Sequence, residues 1–293
     1  MANLTAGKIR QLECWLERAL ACRITIASVR ELSGGDINQA WRLETDRGRF
    51  FLKYNEAEGQ EGNRNFETEV GSLAALRACD ALRVPRVICC QRWQGGNYLV
   101  LEHLSLRPER GAALGQALAR LHREHQGSAY GWAENNFIGL TPQYNGAIKS
   151  WATFYARFRI GPQLTLANQR GAKLGDVEAW VEQIETRLAG HHPPPSLLHG
   201  DLWAGNAAST TDAEPVLFDP ACFYGDRETD LAMTRLFGGF APSFYSAYEA
   251  QWPLDPGYYE RESLYQLYHI LNHFNLFGGN YRGQAERILK SLP

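Results

Sequence analysis

Leu198-His199-Gly200-Asp201-Leu202-Trp203-Ala204-Gly205-Asn206, followed by Val216-Leu217-Phe218-Asp219-Pro220-Ala221, decides how the whole 293-residue chain folds. Phosphoryl transfer asks little covalent work of a protein. It needs an oriented hydroxyl, a carboxylate near that hydroxyl's proton, and oxygen ligands for a cation that bridges the phosphates. A His-x-Asp loop with Asn five residues beyond the Asp supplies a base and a metal ligand from one turn. A second Asp, at the end of a short apolar strand, completes the cation site, and Mg²⁺ suits a few carboxylate or amide oxygens shared with phosphate and water. Asp201 is therefore the candidate catalytic base, Asn206 and Asp219 are the candidate metal ligands, and ATP and Mg²⁺ are the expected cofactors. His-Gly-Asp alone would carry little weight, because buried Asp residues commonly hold loops together; the full spacing through Asn206 to Asp219 carries it.

Working outward, the upstream sequence supplies the remaining parts for nucleotide binding. Lys53 ends the apolar run Phe50-Phe51-Leu52, where its ammonium can reach phosphates. Glu69 shares a helical face with Phe66, Leu73 and Leu76, so it points inward, and a buried carboxylate needs a cationic partner. Lys53 is the obvious one, with Glu67 as the alternative carboxylate. Gly34 and Gly35, in Ser33-Gly34-Gly35-Asp36-Ile37-Asn38, sit between two strands where a phosphate-covering loop belongs, without the full G-x-G-x-x-G pattern. Glu102, His103 and Leu104 stand where the character of the chain changes, and offer backbone groups at Glu102 and Leu104 to an adenine edge.

Periodicity fills in the frame. Thr5 to Ala21 has helical spacing of Ile9, Leu12, Trp15, Leu16 and Leu20. Strands are expected at 24–32, 39–45, 49–54, 86–91 and 98–102, with one helix at 65–79 between the third and fourth. Beyond Glu102, helices are expected at 111–125, 150–158, 175–189, 229–237, 242–252 and 260–277, and Pro193-Pro194-Pro195 restarts the chain as an extended segment. A β-rich N-terminal lobe (1–102, nucleotide-binding) followed by a mainly helical C-terminal lobe (103–293, catalytic and substrate-binding) makes an α+β, bilobal chain with an expected cleft between the lobes.

Composition narrows the partners. Lys+Arg number 30 against 32 Asp+Glu, a net charge of -2 that gives no electrostatic footprint for nucleic acid and no reason for membrane adhesion. No apolar run approaches the ~20 residues needed to span a bilayer. Cys14, Cys22, Cys79, Cys89, Cys90 and Cys222 form no C-x-x-C pair, which fits reduced thiols in a cytoplasmic protein. Vicinal Cys89 and Cys90 on a strand face opposite ways, so no redox role is expected. His269 and His273, four apart on a helix among Leu and Phe, read as packing and not as metal ligands.

Taken together, these residues resemble the fructosamine kinase (ketosamine 3-kinase) family, within the aminoglycoside phosphotransferase-like kinases. The resemblance runs through Gly34-Gly35 with Ile37-Asn38, Phe66-Glu67 with Glu69, Glu102-His103-Leu104, Asn136-Phe137-Ile138-Gly139 with Pro142-Gln143, the 198–206 loop, Asp219-Pro220-Ala221, Tyr224 to Met233, and Tyr265 to Gly278. It implies a bilobal protein-kinase-like fold that transfers the ATP γ-phosphate to the 3-hydroxyl of a small-molecule or protein-bound ketosamine, of fructosamine or ribulosamine type. The product is unstable and releases the amine, which makes the implied role deglycation repair. By the same resemblance Asp201 is the base, Asn206 and Asp219 hold Mg²⁺, Lys53 pairs with Glu69, Asp230 anchors the loop backbone, and Trp203 is the candidate sugar-contacting wall. Some family members carry a cysteine in the phosphate-covering loop; Asp36 stands at that position here. A kinase of another small acceptor (an aminoglycoside, choline or a different sugar) is the alternative, with a nucleotide-binding module without turnover behind it. After Phe240 the acids Glu249, Asp255, Glu260, Glu262 and Glu286 barely exceed Arg261, Arg282, Arg287 and Lys290, so a polycationic acceptor is not expected.

Overall fold

Strand Gly48–Glu56 shows why the N-terminal part folds as it does. Its side chains alternate: Phe50, Leu52 and Tyr54 are buried on one face and join Leu12, Trp15 and Leu16 in a single apolar cluster, while Phe51 and Lys53 take the other face. Full burial of a side chain such as Leu52 is worth about 1.5–3 kcal/mol, which fixes this register. The computed structural model describes residues 4–32, 38–56 and 64–292. Helix α1 (Ala6–Leu20), capped by the Thr5 hydroxyl accepting from the Lys8 N–H, lays Leu12, Trp15 and Leu16 on the sheet. Strands β1 (Ile26–Leu32), β2 (Gln39–Thr45), β3 (Gly48–Glu56), β4 (Val87–Trp93) and β5 (Gly96–Glu102) form an antiparallel sheet in the order β1-β2-β3-β5-β4. Helix α2 (Asn65–Arg77) is inserted between β3 and β4.

The second part runs β6 (Leu106–Arg107), α3 (Ala112–Glu124), β7 (Asn136–Ile138), β8 (Thr141–Gln143), α4 (Trp151–Phe154), a π-helical turn (Tyr155–Ile160), α5 (Gly161–Gln169), α6 (Val177–Leu188), β9 (Ser196–Leu198), β10 (Ala207–Thr210), β11 (Pro215–Leu217), β12 (Phe223–Gly225), α7 (Glu228–Leu236), α8 (Pro242–Gln251), α9 (Tyr258–Phe277) and α10 (Tyr281–Ser291). The apolar core here gathers Trp151, Phe154, Tyr155, Leu164, Ile184, Leu198, Phe223, Leu264, Tyr265 and Leu271. The chain passes straight through Gly161-Pro162, where a helix break is the usual outcome. Pro162 has no N–H for the Phe158 carbonyl four residues back, and the Arg159 guanidinium donates to that carbonyl instead, at 3.1 Å.

The chain divides into two compact units, 1–74 with 84–105 and 75–83 with 106–293. The sequence reading put a single division after residue 102. The structure moves it to 105 and assigns 75–83 to the helical unit, because Arg83 forms a parallel bridge with Val216 of β11 and exchanges backbone hydrogen bonds with Pro215 and Leu217. No helix among the described residues is long and apolar enough to cross a membrane.

Candidate active site

The 199–206 loop joins β9 to β10, and Asp219 stands two residues past β11. β10 pairs antiparallel with β11, so both ends of the constellation hang from one ladder. β9 pairs with β12, Leu198 opposite Phe223, which draws the 219–222 segment beside the loop. Contact is close enough that a Cβ at Gly200, where φ is +82°, would lie 2.1 Å from the Ala221 carbonyl oxygen. The Ala221 N–H donates to the His199 carbonyl at 2.9 Å. His199, fully buried, ties the same segments by its ring: Nδ1 accepts from the Asp201 N–H at 3.2 Å and Nε2 donates to the Phe218 carbonyl at 3.0 Å. Burial pushes its pKa down, so the imidazole is the neutral Nε2–H form that this pairing requires.

Beneath the loop, Asp230 on α7 accepts the His199 N–H at 2.8 Å and the Gly200 N–H at 2.9 Å, the anchoring that the resemblance implied. A third donor completes it: His122 Nε2 lies 3.2 Å from Asp230 Oδ2, while His122 Nδ1 meets the Tyr248 hydroxyl of α8 at 2.9 Å. Burial opposes a charge on Asp230, but the His122 hydrogen bond and the electrostatic and backbone contacts from His199 and Gly200 outweigh it, and its pKa falls below the ordinary value. His122 was not singled out from sequence. Its signal is a lone histidine on the apolar face of α3, and that pattern points equally to packing.

On the upper face the balance differs. Asn206 donates its side-chain N–H groups to the Asp201 carbonyl at 2.9 Å, to Asp201 Oδ2 at 3.1 Å and toward the Asp219 carbonyl at 3.5 Å. With its nitrogen committed, the amide oxygen is the atom that Asn206 can present to a cation. Asp219 adopts φ +56°, in the left-handed region that costs a non-glycine residue on the order of 1 kcal/mol or more and recurs at functional sites. Burial, then the Asp219 charge, raise the Asp201 pKa to about 7, against the Asn206 hydrogen bond that lowers it. Trp203 is half-buried and meets Phe237 edge-on at 6.4 Å. Its indole lies so close over Gly205 that a Cβ there would come within 2.2 Å.

Behind Asp219, a buried polar network holds the 221–222 backbone. Asn136 donates to the Cys222 carbonyl at 2.8 Å and Gln143 to the Ala221 carbonyl at 3.1 Å, while the Tyr268 hydroxyl donates to Gln143 at 2.8 Å. The Asn136 and Pro142-Gln143 segments noted in the sequence therefore support the loop from the far side. The cluster His191, Asp226 and Glu228 has metal-ligand chemistry, yet Arg261 forms a bidentate pair with Glu228 at 2.8 Å and Tyr265 donates to Asp226 at 2.6 Å, so both carboxylates are already engaged by side chains of the fold.

In the sheet unit, Lys53 Nζ lies 2.9 and 2.7 Å from the two Glu69 oxygens, both side chains being nearly buried. Glu67, the alternative carboxylate, is exposed and lies 3.6 Å from Arg92. In the 102–104 segment the Glu102 N–H donates to the Arg86 carbonyl at 2.8 Å, which leaves its carbonyl as the group to consider for an adenine edge, and Leu104 makes no backbone hydrogen bond among the described residues. His103 falls between them, half-buried, and burial lowers its pKa. Gly34 and Gly35 lie outside the described residues. Burial pushes the Cys89 and Cys90 thiols up to about 12 and about 11, which keeps them protonated and unreactive.

The fructosamine kinase profile matches residues 9–292, nearly the whole chain. The chain belongs to the fructosamine kinase family. A Synechocystis protein named "Probable ketoamine kinase" is 46% identical over 264 residues, which cover 89% of this chain and 88% of that one. A ketosamine-3-kinase of Mus musculus is 37% identical, covering 96% of this chain and 99% of its own. Among solved structures, the "Putative fructosamine-3-kinase" of Haemophilus somnus superposes with a TM-score of 0.91 at 29% identity, over 99% of both chains. The fold extends to the choline kinase LicA of Streptococcus pneumoniae, at a TM-score of 0.62 and 16% identity over 98% of this chain and 99% of that one. The α+β, protein-kinase-like architecture and the reaction class, phosphoryl transfer from ATP to a sugar hydroxyl, go with the family.

Proposed function

We propose that this chain phosphorylates the 3-hydroxyl of a ketosamine, with Asp201 as the base, Asn206 and Asp219 as the Mg²⁺ ligands, and the Lys53–Glu69 pair serving the ATP phosphates. One observation carries the assignment of the base. Asp201 Oδ2 is held by Asn206, Oδ1 accepts no hydrogen bond among the described residues, and the proton affinity of the carboxyl is raised. A carboxylate with one anchored and one unbonded oxygen, and a pKa near working pH, is suited to taking a proton from a hydroxyl.

The donor set fits a hard divalent cation: the Asn206 nitrogen is taken up by Asp201 and the Asp219 backbone carbonyl, which leaves its amide oxygen, and Asp219 contributes a carboxylate. When bound, Mg²⁺ supplies charge neutralisation to the transferring phosphoryl group. The chain's own residues orient the hydroxyl, accept its proton at Asp201 and hold the loop rigid through His199 and Asp230. Glu69 holds the Lys53 ammonium extended. In this reading the backbone of Glu102 and Leu104 serves the adenine edge, and Gly34-Gly35 belong to the phosphate-binding segment. Trp203, backed by Phe237, presents an apolar face to the sugar. The acceptor is a polyol with one amine, free or attached to a protein, and the unstable 3-phosphate returns that amine. The six free thiols suit a cytoplasmic enzyme. ATP consumption measured against ribulosamines, fructosamines, choline and aminoglycosides tests the proposal. Turnover confined to the ketosamines is expected, and efficient aminoglycoside or choline phosphorylation without ketosamine turnover would overturn it.

A further inference from the structure

Among the buried polar atoms without a hydrogen bond in the described residues, one borders the candidate active site. His269 on α9 is 3% exposed, and its Nδ1 has no hydrogen-bond partner. That atom lies 4.0 Å from Asp201 Oδ1, the oxygen that Asn206 leaves unbonded. The other two histidines around the loop behave differently, since His122 and His199 each engage both ring nitrogens. Leaving a buried nitrogen unpaired costs about 1–3 kcal/mol, so a fold that needed only packing at this position would be better served by an apolar residue. Burial, then the neighbouring His273, push the His269 pKa down to about 3, so the ring is neutral. Two polar atoms 4.0 Å apart cannot bond each other, but one oxygen at about 2.8–2.9 Å from each closes the triangle.

We propose that the reacting hydroxyl of the sugar sits between Asp201 Oδ1 and His269 Nδ1, donating to the carboxylate and accepting the ring N–H. The inference rests on the ketosamine kinase proposal and adds a residue to it. With the proton aimed at Asp201 and one lone pair held by His269, the remaining lone pair is the one directed at phosphorus. The new O–P bond forms as the bond between the γ-phosphorus and the bridging oxygen breaks, its electron pair leaves with ADP, and the hydroxyl proton ends on Asp201. His269 fixes the rotation of the hydroxyl, which is what a lone carboxylate cannot do.

The test is acceptor and ATP kinetics, with melting temperatures, for the wild type, His269→Phe and His269→Asn. His269→Phe is expected to lower kcat/KM for the ketosamine about 10- to 100-fold, the worth of one hydrogen bond in the transition state. The KM for ATP should stay within about twofold, and the melting temperature should hold or rise, because an unpaired polar atom has been removed. His269→Asn places an amide N–H near the Nδ1 position and is expected to recover most of the loss, which keeps the test decisive if the Phe variant folds poorly. Normal acceptor kinetics in His269→Phe, or an Asn variant as defective as the Phe variant, overturns the contact while leaving the enzyme a ketosamine kinase. A wild-type protein inert toward every ketosamine would instead overturn the parent proposal, and this one with it.

Discussion

Asp230 and Asp201 are both carboxylates bonded into the 199–206 loop, and their surroundings drive them in opposite directions. Asp230 lies under the loop with three donors on its two oxygens, two of them backbone N–H groups, and its pKa is lowered despite complete burial. Asp201 lies above it with one donated amide hydrogen on Oδ2, an unpaired histidine nitrogen 4.0 Å from Oδ1, and the Asp219 charge nearby, and its pKa rises to about 7. The lower face is saturated, as a stability element should be. Asp201 Oδ1 is left without a hydrogen bond among the described residues, and that is where the proposed hydroxyl would complete the bonding.

The largest effect expected from breaking this contrast is that of Asp201→Asn. An amide keeps the shape but cannot take the hydroxyl proton, so turnover should fall by about 10²–10⁴-fold with ATP binding nearly intact. Stability should move the other way. A carboxyl whose folded pKa stands above its unfolded value stabilises the fold while protonated and loses that stabilisation as pH rises from about 4 through about 7. Measured in a chelator at mildly alkaline pH, the variant should therefore melt above the wild type, with the gap closing toward pH ~4. Turnover within a few-fold of wild type would remove Asp201 from the base role.

Asp219→Ala should come next. Loss of its oxygens is expected to raise the half-saturating Mg²⁺ concentration by at least about tenfold, the loss that even outer partners of metal ligands cause. Binding of the ketosamine should change little. Mg²⁺ titrations that superimpose on those of the wild type would show that the cation is held elsewhere.

How much of this was legible beforehand follows from the range of the interactions. Spacing within one turn named Asp201 and Asn206, and the strand-ending Asp219 was readable because an apolar triplet precedes it. Helical periodicity favoured Glu69 and left Glu67 open; Phe66 and Leu73, which share the Glu69 face, are buried, and Lys53 lies 2.7 Å from Glu69. What stayed hidden depends on partners far along the chain. His269 and Asp201, or His122 and Asp230, meet only after the helices pack, and a histidine on an apolar face carries no local mark of its partner. The expected helix ended at 158 and none was expected at 161–169, and the Arg159 hydrogen bond to the Phe158 carbonyl beside Pro162 has no sequence pattern.

A milder prediction concerns the sheet unit, where the Lys53–Glu69 pair is as saturated as the lower face of the loop yet is assigned to the reaction. Lys53→Met and Glu69→Gln should each lower activity, chiefly through ATP. Because each positions the other, the double variant should cost less than the sum, with a coupling of about 0.5–3 kcal/mol. Full additivity would mean that the two do not act as a unit in catalysis.

The smallest effect on the chemical step, and the clearest on the fold, is expected from Asp230→Ala. Removing the carboxylate strands the His199 and Gly200 N–H groups and the His122 ring in a dry site, at a cost of about 2–4 kcal/mol in all. A fall in melting temperature on the order of 5–15 °C follows for a unit of this size. Activity assayed well below the transition should persist above the level of Asp201→Asn, because Asp201, Asn206 and Asp219 all remain. The pH dependence separates anchoring from catalysis. A carboxyl with a depressed folded pKa stabilises the fold above its unfolded pKa of about 4, and that contribution is lost as pH falls through the lower folded value. The gap between wild type and Asp230→Ala should therefore be full at neutral pH and narrow on acidification below about 4, opposite in sign to the Asp201→Asn series. A gap that does not depend on pH would mean that the side chain's bulk, and not its charge, holds the loop; a catalytic loss as deep as that of Asp201→Asn at low temperature would move Asp230 from the anchor into the reaction itself.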